Sequence, residues 1–170
     1  TQGLNFIDLS FKHEKKDELV GISSVANNLI FHGREALQVW SGDNPTFEGN
    51  FSWAKTVPIS TVHGNLIQEL PNDVLFMTDY GMRQLSTAFQ SGEQSVGEDI
   101  GEDIDPTIEA MVSRLKASSS VYKTAESFYY AKEGLYGFKD SSEVAVYVVA
   151  KKAKGWVLFK DAFASSRAFS

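Results

Sequence analysis

With 170 residues, 42% of them apolar and 22% charged, the chain is long and hydrophobic enough to fold around one sizeable core. A net charge of −6 and a pI near 5.1 argue against a protein that coats nucleic acid or an anionic membrane surface, since both tasks need lysine and arginine facing phosphate. The lack of cysteine excludes a disulfide framework, a zinc–thiolate site and a thiol nucleophile, and fits synthesis in a cytoplasm.

The chain opens Thr1-Gln2-Gly3, without an initiator methionine or the basic flank and apolar centre of a signal peptide, and reads as a piece of something longer. Residues 5–11 alternate around Phe6 and Leu9, and residues 19–22 follow a charged stretch; both read as short strands. Asn27-Asn28 is a turn signal ahead of Leu29-Ile30-Phe31. Gly33-Arg34-Glu35 is a second turn, from which residues 36–40 return to complete a hairpin ending on Trp40. A loop with Gly42, Asn44, Pro45, Gly49 and Asn50 leads to β-like runs at 51–57 and 61–70, punctuated by Pro58 and Gly64. A second hairpin follows, from the turn Pro71-Asn72-Asp73 through the run 74–77 and the turn Asp79-Tyr80-Gly81 to the run 82–85. The two hairpins superpose at an offset of 45 residues, with Asn27 on Asn72, Leu29-Ile30-Phe31 on Val74-Leu75-Phe76, Leu37 on Met82 and Trp40 on Leu85. A fixed period of that size is what β-propeller blades give.

Residues 90–105 concentrate Glu93, Glu98, Asp99, Glu102 and Asp103 around the near-duplicate Gly97-Glu98-Asp99-Ile100 and Gly101-Glu102-Asp103-Ile104, and read as a solvated loop. Asp105-Pro106 then offers an N-cap and a first-turn proline. Ile108, Met111, Val112 and Leu115 fall at i, i+3, i+4 and i+7, which predicts one amphipathic helix over about 106–117. Beyond Ser118-Ser119-Ser120, the runs 121–122, 127–131 and 134–138 are short aromatic strands. Residues 143–150 are apolar on both faces, so this strand is expected inside a sheet and not at its edge. The purely apolar part of that run, 144–150, has seven residues against the roughly 20 a membrane-spanning helix needs, and no transmembrane span is expected. The segment 151–155 reads as a turn with Gly155 at a positive φ, returning into 156–159. Val146, Val148, Trp156 and Leu158, at about 1.5–3 kcal/mol each once buried, would anchor this third hairpin. The expected fold is thus a single mostly-β domain over 1–170, built of propeller-like antiparallel hairpin or blade units. The acidic loop and one inserted α-helix (about 106–117) stand between the second and third units.

No constellation points to catalysis, a cofactor or a metal. His13, His32 and His63 are 19 and 31 residues apart, with no helical i, i+4 pair. No Gly-x-Ser-x-Gly occurs, so Ser23-Ser24 and Ser118-Ser119-Ser120 read as loop or strand-edge residues. Gly97 and Gly101 precede acidic residues, which would repel a phosphate. The acidic stretch could offer oxygens to Ca²⁺ but lacks the spacing of a calcium loop. Trp40, Trp53 and Trp156 sit at strand ends, where they serve better as core or hairpin anchors than as a sugar platform. Acidic pairs for glycoside hydrolysis are allowed by composition, their separation in space being invisible at this level.

Several stretches, in order, resemble the tail tubular or nozzle proteins and related stabilisation proteins of short-tailed bacteriophages. They are Leu19-Val20-Gly21-Ile22 through Asn27-Asn28-Leu29-Ile30-Phe31 to Val39-Trp40-Ser41-Gly42, and Asn72-Asp73-Val74-Leu75-Phe76-Met77 to Gly81-Met82-Arg83-Gln84-Leu85-Ser86. They continue with Asp99-Ile100 and Asp103-Ile104-Asp105-Pro106, and then the run 144–147 followed by Gly155-Trp156. The likeness covers about residues 5–165. It implies propeller-like units in a hexameric ring below the portal and adaptor, in the virion tail, which carries the genome through a central channel and helps hold other tail proteins. An acidic lumen would let DNA slide without sequence-specific binding. A propeller takes four to eight blades and this chain holds about three units, so a fragment or a reduced version with edges covered by other chains is expected. Two other classes carry their own signatures: a carbohydrate- or host-receptor-binding module would expose two or three aromatics in one concave patch, and a cell-surface glycan hydrolase would face two carboxylates across a cleft.

Overall fold

The computed structural model describes residues 17–42, 51–91, 101–117, 125–140, 143–150 and 153–160. The expected strands at 5–11 and 121–122, His13, the serines at 118–120 and residues 92–100 of the acidic stretch lie outside them. The fold is mostly β, as the alternating runs predict, and its strands form three antiparallel sheets in chain order. The first contains β1 (Leu19–Val25), β2 (Asn28–Gly33), β3 (Leu37–Gly42) and β4 (Phe51–Val57). The second contains β5 (Ile67–Glu69), β6 (Val74–Thr78) and β7 (Gly81–Gln84), and the third β8 (Glu126–Tyr130), β9 (Leu135–Lys139), β10 (Glu143–Ala150) and β11 (Ala153–Lys160). Each is a meander in which every strand pairs with the next, so all connections are local. Helices α1 (Leu85–Ser91) and α2 (Asp105–Ala117) stand between the second and third sheets in the chain. Among the described residues no helix is long and apolar enough to cross a membrane.

The sheets stack face on face, with the second in the middle. Side chains alternate along a strand, and β6 is buried on both sides: Val74 and Phe76 join Ile30, Leu37, Val39 and Val57 of the first sheet in one core. Leu75 and Met77 join Tyr136, Phe138, Ala145 and Tyr147 of the third sheet in the other. The leading strands meet at one edge of the stack. Gly21 of β1 lies against Ile67 of β5, the hydroxyl of Ser127 in β8 donates to the Ile67 carbonyl (3.2 Å), and Glu69 accepts from the backbone N–H of Ser24 (2.6 Å). Away from that edge a helix joins each core. Leu85 and Ala88 of α1 pack between the first two sheets, and Ile108, Met111, Val112 and Leu115 of α2 pack between the second and third. The sheets therefore touch along their first strands, and helices add bulk farther out.

The 45-residue offset holds in three dimensions. It places β1, β2 and β3 on the 3-10 turn Gly64–Leu66 with β5, then β6, then β7, and the equivalences preserve which way each side chain faces. Ile30 and Leu37 point toward the following sheet, as do Leu75 and Met82; Phe76 and Leu85 point toward the preceding one. The two units part within the third strand: the first continues β3 through Trp40–Gly42 and adds β4, whereas the equivalent residues 85–87 of the second open α1.

Several boundaries differ from the sequence reading. The first hairpin turn is Ala26-Asn27, with Ala26 at φ 50°; Asn28 already pairs with Val25, and its side-chain oxygen accepts from the Ser41 hydroxyl at 2.5 Å. Of the run 61–70 only Ile67–Glu69 is a strand, because His63 caps a 3-10 turn ahead of it. Leu85 starts α1 instead of ending a strand. Its apolar positions Leu85, Ala88 and Phe89 have helical spacing, but the carboxylate that fixes its start, Asp73, comes from the preceding turn and accepts from the Ser86 N–H and hydroxyl (3.1 and 2.6 Å). The acidic stretch is not solvated throughout, since Gly101 and Ile104 are buried and residues 102–104 form a 3-10 turn running into α2. Asp105 is that helix's first residue, and its carboxylate is held by both oxygens on Arg83 (3.0 Å) where a backbone cap was expected. Gly155 lies within β11 opposite Val148 and not in the turn at positive φ, because the register pairs Ala150 with Ala153 and leaves only residues 151–152 between the strands. β10 does sit inside its sheet, between β9 and β11.

Candidate functional site

Several polar side chains of the described residues bond one another within the fold. His32 is fully buried between the first two sheets, where Nε2 meets the Ser23 hydroxyl at 2.7 Å, Nδ1 meets the Thr61 hydroxyl at 3.2 Å, and the ring edge packs on Phe76. Burial lowers its pKa to about 4, so it is neutral at physiological pH. His63 Nδ1 accepts from the Asn65 N–H, and burial together with the Arg34 cation lowers its pKa. The two histidines serve separate local bonds. Among the described residues, no three His, Asp or Glu side chains group as a metal site would need.

Carboxylates meet at one place in particular. Arg114 of α2 donates through Nε to Asp140 at 2.8 Å and through Nη2 to Glu143 at 2.6 Å. Asp140 is buried and also accepts the Glu143 N–H, closing the turn between β9 and β10. The two acids thus converge on a guanidinium that docks the helix to the third sheet. Asp105 is a second docking point; its burial raises its pKa against the opposing pull of Arg83.

The surfaces that stand out are the two outermost sheet faces. On the third sheet the inner face carries Tyr129, Tyr136, Tyr147 and Trp156 in mutual ring contact at 5.0–6.4 Å. Cross-strand register puts Phe128, Gly137, Val146 and Val157 in one row on the opposite, outer face, and Tyr130, Leu135 and Val148 in the next. A Cβ at Gly137 would meet the Phe128 ring at 2.9 Å, so the glycine lets that ring lie flat along the row. This face is left accessible at Tyr130 (51%), Val157 (42%) and Phe159 (40%). Val146 and Val148, expected as core, are half-buried there, whereas Trp156 and Leu158 pack against the inner core.

The outer face of the first sheet is aromatic. Trp40 stacks on Phe51 at 5.6 Å and takes Phe31 edge-on at 6.3 Å, and the register places Trp53 and Ile22 on the same side. Trp40 is buried by these neighbours, as an anchor should be, but Trp53 (40% exposed) and Ile22 (53% exposed) face outward. Tyr80, also exposed, belongs to the β6–β7 turn of a different sheet, so Trp40, Trp53 and Tyr80 do not form one patch. An antiparallel sheet with a solvated face shows polar residues on that face; here they share it with the apolar ones, the Glu126–Lys139 pair on the third sheet and Ser24, Gln38 and Thr56 on the first. The sequence carried a signal for this in the two-faced apolar run 143–150 and in the aromatics of 51–53, but which face lacked a covering layer depended on the stacking order.

A scan of protein-family models finds none that matches the chain, and a search of curated protein sequences finds no match.

Proposed function

We propose that the chain is a structural component of a short-tailed bacteriophage tail, a nozzle- or connector-type part that works by assembly and carries no catalytic residue. The observation that supports this reading is the set of accessible apolar side chains on the two outermost sheet faces of the described residues, Ile22 and Trp53 on the first and Tyr130, Val157 and Phe159 on the third. Large apolar patches on a folded surface mark contacts with other chains. In this reading the protein is made in the host cytoplasm, enters the virion tail, and joins other copies and portal-adaptor or tail proteins in a ring around the genome's path. The charge of −6 suits a conduit wall, because DNA finds few cations there to neutralise its phosphates.

The carbohydrate- or receptor-binding alternative needs several aromatics in one concave patch, and the burial of Trp40 together with the separation of Trp53 from Tyr80 weighs against it. The hydrolase alternative needs carboxylates across a cleft, and the convergent pair Asp140 and Glu143 is bound to Arg114 instead. Quantitative mass spectrometry of purified tailed particles made from the encoding genome is the test. The expected result is a fixed copy number of this chain per virion, localised to the tail by antibody labelling. Complete, infectious particles that contain none of it would overturn the proposal.

A further inference from the structure

We infer that the seam between the first and second sheets is an acid-sensitive joint, at which protonation of His32 releases the first sheet while the second and third stay packed on each other. The joint goes beyond the assembly reading above and does not depend on it. The His32 ring is fully buried at that seam. It meets the Ser23 hydroxyl of β1, the Thr61 hydroxyl of the segment that links the two sheets, and the ring of Phe76 in β6. One side chain thus joins the first sheet, the link and the second sheet. Two hydroxyls suit a neutral imidazole, because one can accept from the protonated ring nitrogen and the other can donate to the bare one. They can also accept from both nitrogens of a charged ring, but they supply no counter-charge, and a buried cation without one is costly.

The charged groups on the surrounding elements bond elsewhere. Glu18, ahead of β1, holds Arg34, which follows β2 and also donates to the Val62 carbonyl. Asp17 accepts from the backbone of Glu35 and Ala36, and Glu69 of β5 accepts from Ser24. Asp73 and Asp79, on either side of β6, hold Ser86 and Lys116. Arg83 of β7 holds Asp105, and Lys55 of β4 lies over the Phe89 ring. His63 in the link accepts from the Asn65 N–H; burial and the Arg34 cation lower its pKa, so acid acts on it in the same direction. None of these groups bonds the His32 ring, whose pKa is lowered by burial. The seam can open alone because its core is its own. Ile30, Leu37 and Val39 meet Val74, Phe76 and Leu85 in a cluster separate from the one that joins the second and third sheets. The first sheet is also one continuous stretch of chain, β1 to β4, followed by a single link. In that link the Thr61 N–H donates to Gly33 of the first sheet (3.0 Å) and the Val62 N–H to Met77 of the second (2.9 Å). A buried histidine at a boundary between two separately packed units is the arrangement by which protonation moves one unit against the other.

Hydrogen exchange of the full chain tests the joint, read as protection factors so that the pH dependence of the chemical step cancels. The released sheet takes up a proton at the ordinary value of 6.5 and the packed one only near 4, so release becomes easier as pH falls below 6.5. Between pH 7 and pH 5 the protection of amides in β2 and β3 is expected to fall by about twentyfold, the factor those two values set. Amides of β9 and β10 are expected to keep their protection. His32→Gln should remove the larger part of the fall in β2 and β3. Glu69→Gln, which alters the carboxylate that Ser24 donates to across the seam, should leave the fall in place. An equal fall in β9 and β10 would overturn the inference, since acid would then open the whole molecule and not one joint. Unchanged protection in β2 and β3 would overturn it too, as would a fall that persists in His32→Gln or vanishes in Glu69→Gln. Should His32→Gln not fold, the comparison of the two sheet pairs in the unmodified chain and in Glu69→Gln still decides.

Discussion

Arg114→Met should lower the stability of the protein by about 3 kcal/mol in urea denaturation, one of the largest losses available from a single polar side chain. Asp140 is fully shielded from solvent and Glu143 is partly buried, and the Arg114 guanidinium is bonded to both. Removing the cation leaves the buried Asp140 carboxylate without its counter-charge, the remaining Glu143 N–H donor being too weak to offset it. The low end of the usual 3–5 kcal/mol range applies because Arg114 is itself 35% exposed, so water can partly replace it. Arg114→Lys should recover little, since the two bonds leave through different guanidinium nitrogens and an ammonium cannot reproduce that fork. Adding Asp140→Asn to Arg114→Met should recover part of the loss. By contrast Lys116→Met, which removes an exposed pair with Asp79 at 2.7 Å, should change stability by no more than about 0.5 kcal/mol. Equal losses for Arg114→Met and Lys116→Met would mean that α2 is not docked through this cluster.

Acid should weaken the protein through His32 by a comparable amount. Its folded pKa lies near 4 and the ordinary value is 6.5, so the unfolded chain takes up the proton first as pH falls. The direction follows from that order: stability is complete above pH 6.5, declines by about 1.4 kcal/mol per pH unit below it, and stops declining through this group near pH 4, a total of about 3 kcal/mol. His32→Gln retains a side chain able to bond Ser23 and Thr61 but cannot titrate. The variant should start less stable at pH 7 and lose less between pH 6.5 and 4 than the wild type. Parallel stability curves for the two proteins across that window would show that His32 is solvated in the folded state.

Much of this architecture is written in local pattern. The helix over 106–117, the three hairpins and the inclusion of β10 within a sheet all follow from periodicity and turn residues that act over a few positions. The 45-residue repeat was legible too, from Asn27 and Asn72 to Trp40 and Leu85, and it identified equivalent faces as well as equivalent strands. What escaped depends on groups distant in the chain. Helix α1 begins where Asp73, thirteen residues before Ser86, accepts an N–H of its first turn. The N-terminal acid Asp105 is claimed by Arg83 across the β7 strand, and Ile104 leaves the acidic stretch to join a core that the strand pattern alone does not locate. His32 looks like any strand histidine until Ser23 and Thr61 are seen to hold it. The candidate surfaces were half legible for the same reason: β10 announced two apolar faces, and only the order of the stack tells which one meets no further layer among the described residues.

Native-state hydrogen exchange tests the three-layer stack most directly. If the second sheet is the middle layer, the amides of β6 should be the slowest to exchange among the described strands, opening only with global unfolding, because Val74 through Thr78 is buried on both sides. Strands of the two outer sheets should exchange earlier. Amides of β6 that exchange as fast as those of β1 or β8 would contradict the stacked order on which both outer faces, and everything proposed for them, depend.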